Sequence, residues 1–196
     1  MRISDEKKLI LKAQKDPKLF GEIFEKYFDQ ILNYAFRRVG DFDIARDISS
    51  EVFLKAYTNL WRFKWRNVPL SAWLYRIATN EMNQYYRRKA YTAKTIIDQG
   101  ADVFLKYADP SSLEAEREEA NRRLEEEKDF RRIRGILDKM DIKYQEVIAL
   151  RFFEQQSIKE ICLILGKKEG TIKSLIHRGL EIIRRNLLQK SATTDD

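Results

Sequence analysis

Residues 157–178 read SIKEICLILGKKEGTIKSLIHR, and this stretch decides the fold of the domain that contains it. Ser157, followed three residues later by Glu160, forms a capping box that begins a helix. Gly166 can adopt the left-handed conformation that ends this helix, and a second helix is expected to begin near Gly170. A capped short helix, a glycine turn and a second helix predict a helix-turn-helix motif. An ordinary helical hairpin with a basic exposed face would have the same spacing.

The second helix of this motif has an apolar side and a polar side. Its apolar side comprises Ile172, Leu175, Ile176, Gly179 and Ile183. In a helix-turn-helix protein the N-terminal part of this helix contacts base edges in the major groove. Lys and Arg can donate to guanine, Ser and His can serve several edges, and flanking lysines suit phosphates. The predicted contacts with duplex DNA are therefore Lys167, Lys168, Thr171, Lys173, Ser174, His177 and Arg178.

Towards the N-terminus, apolar residues recur every three to four positions in three segments, as in amphipathic helices. The first helix should begin after the N-cap and helix-initiating pair Asp16-Pro17 and end at Gly40. The second is expected over residues 43–60, and the third over residues 72–88 with Ser71 as its cap. These three helices predict a bundle with its own core.

The helical pattern is lost over residues 91–112, where Gly100 and the cluster DPSS at 109–112 indicate a linker. An acid-rich stretch, residues 114–129, is expected to form a solvated helix with ion pairs between successive turns. It could also shield the basic surfaces of the free protein. The helical pattern returns from about Phe130.

The sequence therefore predicts an all-α protein with two helical domains joined by a flexible linker. The predicted segments are an N-terminal helical domain at 1–90, a linker with an acidic helix at 91–127, a C-terminal helix-turn-helix domain at 128–190 and a tail at 191–196.

Composition favours a polyanionic partner and disfavours several other classes of protein. The net charge is +7 with a pI near 9.4, a basic excess typical of nucleic-acid binding. The chain has a single cysteine, which excludes an internal disulfide. It also has a single histidine, and one cysteine and one histidine are too few ligands for an ordinary zinc site. We expect no cofactor, no metal and no catalytic residue. Without an apolar signal sequence or a run of about 18 apolar residues, we expect a cytoplasmic protein with no membrane insertion.

The stretch from Trp61 to Lys89 combines basic and aromatic residues. It contains seven Lys or Arg, one acid (Glu81) and all three tryptophans of the chain. Basic side chains can hold a nucleic-acid backbone while rings stack on unpaired bases, so this pattern indicates binding to separated strands. Some of these rings, Trp73 and Tyr75 among them, could instead belong to the core.

Three segments in the correct order resemble the extracytoplasmic-function sigma factors, a class of bacterial transcription initiation factors. Residues 47–57, DISSEVFLKAY, are similar to the family pattern D-L-x-Q-E-V-F-L-x-A-W. Residues 73–80, WLYRIATN, are similar to W-L-Y-R-I-A-x-N, and residues 170–179, GTIKSLIHRG, to G-T-V-K-S-R-x-x-R-A. The resemblance covers roughly residues 18–90 and 130–188.

The resemblance implies a role for each segment. The helix containing residues 47–57 would bind the clamp helices of core RNA polymerase through Asp47, Ser50, Glu51, Phe53, Leu54 and Tyr57. The basic–aromatic stretch would melt the minus-ten promoter element and capture a flipped base, using Arg62, Lys64, Trp65, Arg66, Asn67, Trp73, Arg76, Asn80, Asn83, Arg87 and Arg88. The helix-turn-helix would read the minus-thirty-five element, and an anti-sigma factor is a further candidate partner.

Some positions depart from the family pattern. Ser50 stands where glutamine is usual, Leu175 replaces a common arginine, and His177 and Gly179 are unusual. The promoter sequence therefore cannot be transferred from relatives. The main alternative is a stand-alone helix-turn-helix regulator that does not bind core polymerase, and it would need neither the 47–57 segment nor the tryptophans. A nucleic-acid enzyme such as a recombinase would need a cluster of catalytic groups that the sequence does not suggest.

Overall fold

The structure is a computed structural model that describes residues 3–64, 68–98, 135–137 and 139–191. Within these ranges it contains helices and no strand, which confirms the all-α prediction. The α-helices are α1 (Ile3–Lys15), α2 (Phe20–Val39), α3 (Phe42–Asn59), α4 (Leu70–Asp98), α5 (Ile142–Ile148), α6 (Ile158–Leu165) and α7 (Glu169–Ser191). Short 3₁₀ turns at Pro17–Leu19 and Leu60–Arg62 and a π-helical turn at Ala149–Phe153 connect some of them.

Local hydrogen bonds begin and end helix α2 as the sequence predicts. The Asp16 carboxylate accepts from the Lys18 N–H at 3.0 Å, and Pro17 occupies the first helical position. The first turn is 3₁₀, so α2 itself begins at Phe20. Gly40 ends the helix with a φ of 79°, a left-handed conformation that glycine adopts without steric cost.

Helices α3 and α4 differ from the predicted bounds. Asp41 caps α3 by accepting from the Ile44 N–H at 3.1 Å. Helix α4 begins at Leu70, so the prediction that Ser71 caps it is wrong. The helix also continues ten residues beyond Arg88, because no proline or glycine interrupts the chain before Gly100. The predicted domain boundary at residue 90 therefore falls inside a helix.

The N-terminal domain is built on α2, α3 and α4, with α1 packed against the 3₁₀ turns at Pro17–Leu19 and Leu60–Arg62. Tyr34 and Tyr75 are fully buried, and their rings meet edge to face at 5.0 Å. The Tyr34 and Thr79 hydroxyls are 3.0 Å apart, which satisfies a buried polar group. Tyr75 is thus a core ring, as the alternative reading of the basic–aromatic stretch allows. The predicted linker beyond residue 98, with Gly100 and the acidic segment, lies outside the described residues.

The helix-turn-helix has the predicted caps. The Glu160 N–H donates to the Ser157 hydroxyl at 3.2 Å, and the Ser157 N–H donates to the Glu160 carboxylate at 2.7 Å. Gly166 ends α6 with a φ of 64°. Helix α7 packs closely on α5, where a Cβ built on Gly179 would lie 3.0 Å from the Ile148 side chain. Glycine at this position therefore permits the close approach of the two helices.

The two domains pack together through α4 against α6 and α2 against the π-helical turn. Glu154, directly after that turn, lies at this contact with its side chain 6% exposed. Its carboxylate accepts from the Tyr75 hydroxyl at 2.5 Å and lies 3.4 Å from the Arg37 guanidinium. Burial raises the pKa of Glu154, and the Tyr75 and Arg37 donors partly offset that effect. A second contact joins the Asn83 amide to the Glu146 carboxylate at 2.7 Å.

Replacing Glu154 should loosen the contact between the domains. Glu154→Ala removes the acceptor for the buried Tyr75 hydroxyl and the partner of Arg37, a loss of about 1–3 kcal/mol. Amide hydrogen exchange should become faster in α6 and in the α4 residues that face it. Glu154→Gln keeps an oxygen acceptor and should stay closer to the wild type, and exposed Glu22→Ala serves as a surface control. Unchanged exchange in Glu154→Ala would show that this carboxylate does not hold the domains together.

Candidate nucleic-acid interface

The helix-turn-helix presents its predicted DNA-contacting residues to solvent. The capped α6, the turn at Gly166 and the buried Ile172 orient α7 so that its first two turns face outward. All seven predicted residues are exposed: Lys167, Lys168, Thr171, Lys173, Ser174, His177 and Arg178. The structure therefore brings them together on one continuous surface.

Two acidic residues on α7 lie within this basic surface, and sequence reasoning did not single them out as site residues. Glu169 lies 2.6 Å from the Lys173 ammonium, and Glu181 lies 3.7 Å from the His177 ring. The Glu169 carboxylate raises the pKa of Lys173. Solvent screens exposed pairs of this kind, so they contribute little and another anion can displace the glutamate from Lys173.

The N-terminal domain contains a cleft of about 490 Å³ between the end of α3, the following turn and α4. This volume falls within the range of about 300–1,000 Å³ that is typical of small-molecule sites. The residues that line the cleft are Lys55, Asn59, Arg62, Phe63, Trp73, Ile77, Asn80, Glu81 and Gln84.

The cleft combines aromatic and polar walls. The rings of Phe63 and Trp73 are 5.0 Å apart and inclined by 46°. The exposed Asn80 amide can both donate and accept hydrogen bonds. The Lys55 ammonium contacts the Glu81 carboxylate at 2.7 Å, and this bond raises the pKa of Lys55. Flat rings beside an amide and an ion pair form a surface on which one unpaired base can stack and make hydrogen bonds.

The remaining predicted minus-ten residues are distributed around the cleft or away from it. Lys64, Arg76, Arg87 and Arg88 are exposed. Asn83 is half-buried and donates to Glu146 of the C-terminal domain, so it does not join the cleft in this arrangement. Sequence spacing alone did not indicate this partner, which comes from the other domain. Trp65, Arg66 and Asn67 lie outside the described residues.

Helix α3 presents a mixed polar and apolar face. Asp47, Ser50, Leu54 and Tyr57 are exposed at helical spacing, and Glu51 on the same face is half-exposed. Leu54 and Tyr57 are 57% and 48% exposed, so this face presents apolar area to solvent. Glu51 lies 3.3 Å from the Lys55 ammonium.

Phe53 does not belong to this face. Its ring is 3% exposed and packs against Phe20, Phe24 and Phe28 of α2, so Phe53 belongs to the core, and its contact with the polymerase stays a prediction. Its position, one residue before Leu54, rotates it by about 100° around the helix axis, which turns it from the exposed face towards α2. The Phe24 ring of α2 contacts Phe53 edge to face and is itself 39% exposed.

No group of three or more His, Cys, Asp or Glu side chains among the described residues is arranged to hold a metal ion. None of the described helices is long and apolar enough to cross a membrane.

A helix-turn-helix with a basic recognition helix, joined to a helical domain with an aromatic and polar cleft, defines a transcription factor suited to both duplex and unpaired DNA. Comparisons with known proteins agree with this class. Residues 23–92 match the family model for sigma-70 region 2, and residues 130–183 match that for sigma-70 region 4.

Similar proteins identify the family. The ECF RNA polymerase sigma factor SigW of Bacillus subtilis is 33% identical over 186 residues, covering 92% of this chain and 96% of its own. The RNA polymerase sigma factor YlaC of Bacillus subtilis is 27% identical, covering 85% and 90%. The chain belongs to the extracytoplasmic-function (ECF) family of RNA polymerase sigma factors.

Solved structures share the fold. CnrH, in complex with the cytosolic domain of CnrY, has a TM-score of 0.64 at 22% identity, covering 93% of this chain and 96% of that one. The sigma factor RpoE, in complex with the anti-sigma factor NepR from Bartonella quintana, has a TM-score of 0.60 at 20% identity, covering 86% and 96%.

Proposed function

We propose that this sigma factor captures an unpaired base of the minus-ten element in the cleft between α3 and α4. The arrangement of Phe63, Trp73 and Asn80 around one cleft carries this proposal. Stacking on aromatic rings contributes about 1–3 kcal/mol per base, which offsets an unpairing cost of a few kcal/mol. The exposed arginines and Lys64 around the cleft suit the phosphates of the separated strand.

The recognition helix α7 would read the minus-thirty-five element. Its exposed Lys173, Ser174, His177 and Arg178 are the side chains best suited to base edges, while Lys167 and Lys168 suit phosphates. Leu175 is half-buried and packs against the core, so the arginine that is common at this position is absent from the DNA-facing surface. Contacts with bases are expected to depend mainly on the positions nearer the start of α7.

The exposed face of α3 would bind core RNA polymerase. Leu54 and Tyr57 offer apolar area that a protein partner can bury, and Asp47 and Ser50 offer polar contacts at its edge. A stand-alone DNA-binding regulator would have no use for this face or for a base-sized cleft. Together with the family membership, these features favour a sigma factor over that alternative.

Simultaneous reading of both promoter elements would require the two domains to separate. The elements lie about 25 base pairs apart, a span of about 85 Å at 3.4 Å per base pair. Helix α4, which lines the cleft, packs directly on α6 of the helix-turn-helix, and packed helices are about 8–10 Å apart. The packed arrangement is therefore too short to reach both elements, and it suits a form of the protein that is not bound to a promoter.

An anti-sigma factor is a proposed further partner, because RpoE is seen in complex with the anti-sigma factor NepR and shares this fold. We also propose that the protein is cytoplasmic and acts as an initiation factor rather than as an enzyme, since DNA melting here needs binding energy and no bond-making chemistry.

Substitution of Asn80 should impair promoter opening. Asn80→Ala removes the amide that reads the captured base, and permanganate footprinting of unpaired thymines should show less opening of a duplex promoter. Charge removal at Arg62 and Lys64 should also impair opening, but a template with a mismatched minus-ten bubble should rescue these variants more than Asn80→Ala. Exposed Asn33→Ala on α2 is the matched control. Wild-type opening of the duplex by all three variants would refute strand capture by this domain.

Substitution of Arg178 should alter recognition of the upstream element. If Arg178 pairs with a base, Arg178→Ala should weaken binding of the holoenzyme by about 1–3 kcal/mol at its cognate position and relax selectivity there. Arg185→Ala, further along α7 and exposed, should weaken binding about equally for all sequences. The measurement is transcription from a library of upstream-element variants. Unaltered selectivity in Arg178→Ala would exclude base reading by this residue.

A further inference from the structure

Hydrogen bonds from one residue hold a wall of the cleft in place. In the sequence, this residue precedes both segments that match the family models. Helix α1 ends at Lys15, whereas the match to sigma-70 region 2 begins at residue 23. Gln14, in the last turn of α1, is half-buried, and its side-chain nitrogen donates to the Leu60 carbonyl and to the Phe63 carbonyl, each at 2.8 Å. Both N–H groups of the amide are thus directed at a single turn of the chain.

These carbonyls lie where α3 gives way to the loop that follows it. The last carbonyls of a helix have no donor within the helix and need one from elsewhere. The Phe63 N–H supplies one donor to the Leu60 carbonyl at 2.9 Å, and Gln14 supplies a second. Gln14 also supplies a donor to the Phe63 carbonyl, so α1 caps the end of α3 from about 46 residues away in sequence.

The capped turn contributes directly to the cleft. Arg62 and Phe63 line it, and the Phe63 ring contacts that of Trp73. A change in the backbone direction at residues 60–63 would move this ring relative to Asn80. We propose that Gln14 is a positioning residue for base capture, holding the turn so that Phe63 and Asn80 fit one base between them. The inference rests on the proposed function of the cleft.

Helix α1 is anchored independently of Gln14. Ile10 and Ala13 are buried, and the Glu6 carboxylate accepts a hydrogen bond from the Tyr27 hydroxyl of α2. The contact between Glu6 and Tyr27 does not involve the 60–63 turn. Glu6→Ala is therefore a matched control, because it weakens the docking of α1 without removing either donor of Gln14.

The experiment uses the full-length protein with core polymerase. Gln14→Met has a similar length and no donor, and Gln14→His keeps one N–H donor. Binding is measured to forked DNA with an unpaired minus-ten strand, placing each of the four bases in turn at every unpaired position. Gln14→Met should reduce the ratio of affinities for the best and worst base by about fivefold or more, as expected for the loss of two hydrogen bonds. Gln14→His should give a smaller reduction, and Glu6→Ala should keep the wild-type ratio despite a lower midpoint of thermal unfolding.

Two results would overturn the inference. One is wild-type base discrimination in both Gln14 variants. The other is an equal loss of discrimination in Glu6→Ala at a matched thermal midpoint, which would mean that Gln14 acts only through the stability of α1. Asn80→Ala in the same assay distinguishes a failure of the proposed role of Gln14 from a failure of the proposed role of the cleft. If it loses discrimination while the Gln14 variants do not, only the inference fails; if it also discriminates normally, the proposed role of the cleft fails as well.

Discussion

The position of helix α4 determines both the shape of the cleft and the contact between the two domains. Trp73, Ile77, Asn80, Glu81 and Gln84 follow helical spacing and line the cleft on one face of it. Tyr75 and Asn83 leave the same helix on other faces and meet Glu154 and Glu146 of the C-terminal domain. A single rigid helix therefore carries both the cleft and the surface on which the other domain packs. Any change in its orientation affects the two together.

Several buried polar groups lie at the contact between the domains. Burial of Glu154 at this contact is unfavourable enough to raise the pKa of that group. Among the described side chains, the Asn83 Oδ1 atom is buried without a hydrogen-bond partner. Buried ionic and polar contacts compensate poorly for lost hydration, so their net contribution is small compared with that of an apolar interface. Rehydration of these polar groups would therefore offset part of the free energy that is needed to separate the domains.

The sequence predicted best those features that local hydrogen bonds determine. The capping box of Ser157 and Glu160, the end of α6 at Gly166 and the end of α2 at Gly40 all follow from chemistry within a few residues. Family patterns indicated Asn80, and the structure lines the cleft with it. Ser71 was assigned wrongly as a cap because Leu70, directly after Pro69, already begins the helix.

Features that depend on distant contacts could not be read from the sequence. Phe53 lies within a motif whose neighbours are exposed, and only its packing against three phenylalanines of α2 shows that it belongs to the core. Gln14 has no motif around it, and its partners lie about 46 and 49 residues away. Two exposed surfaces also differ in kind: the α3 face is partly apolar, whereas the first two turns of α7 are polar and mainly basic. Salt screens the second kind far more than the first, so contacts with DNA can be released while a contact with polymerase persists.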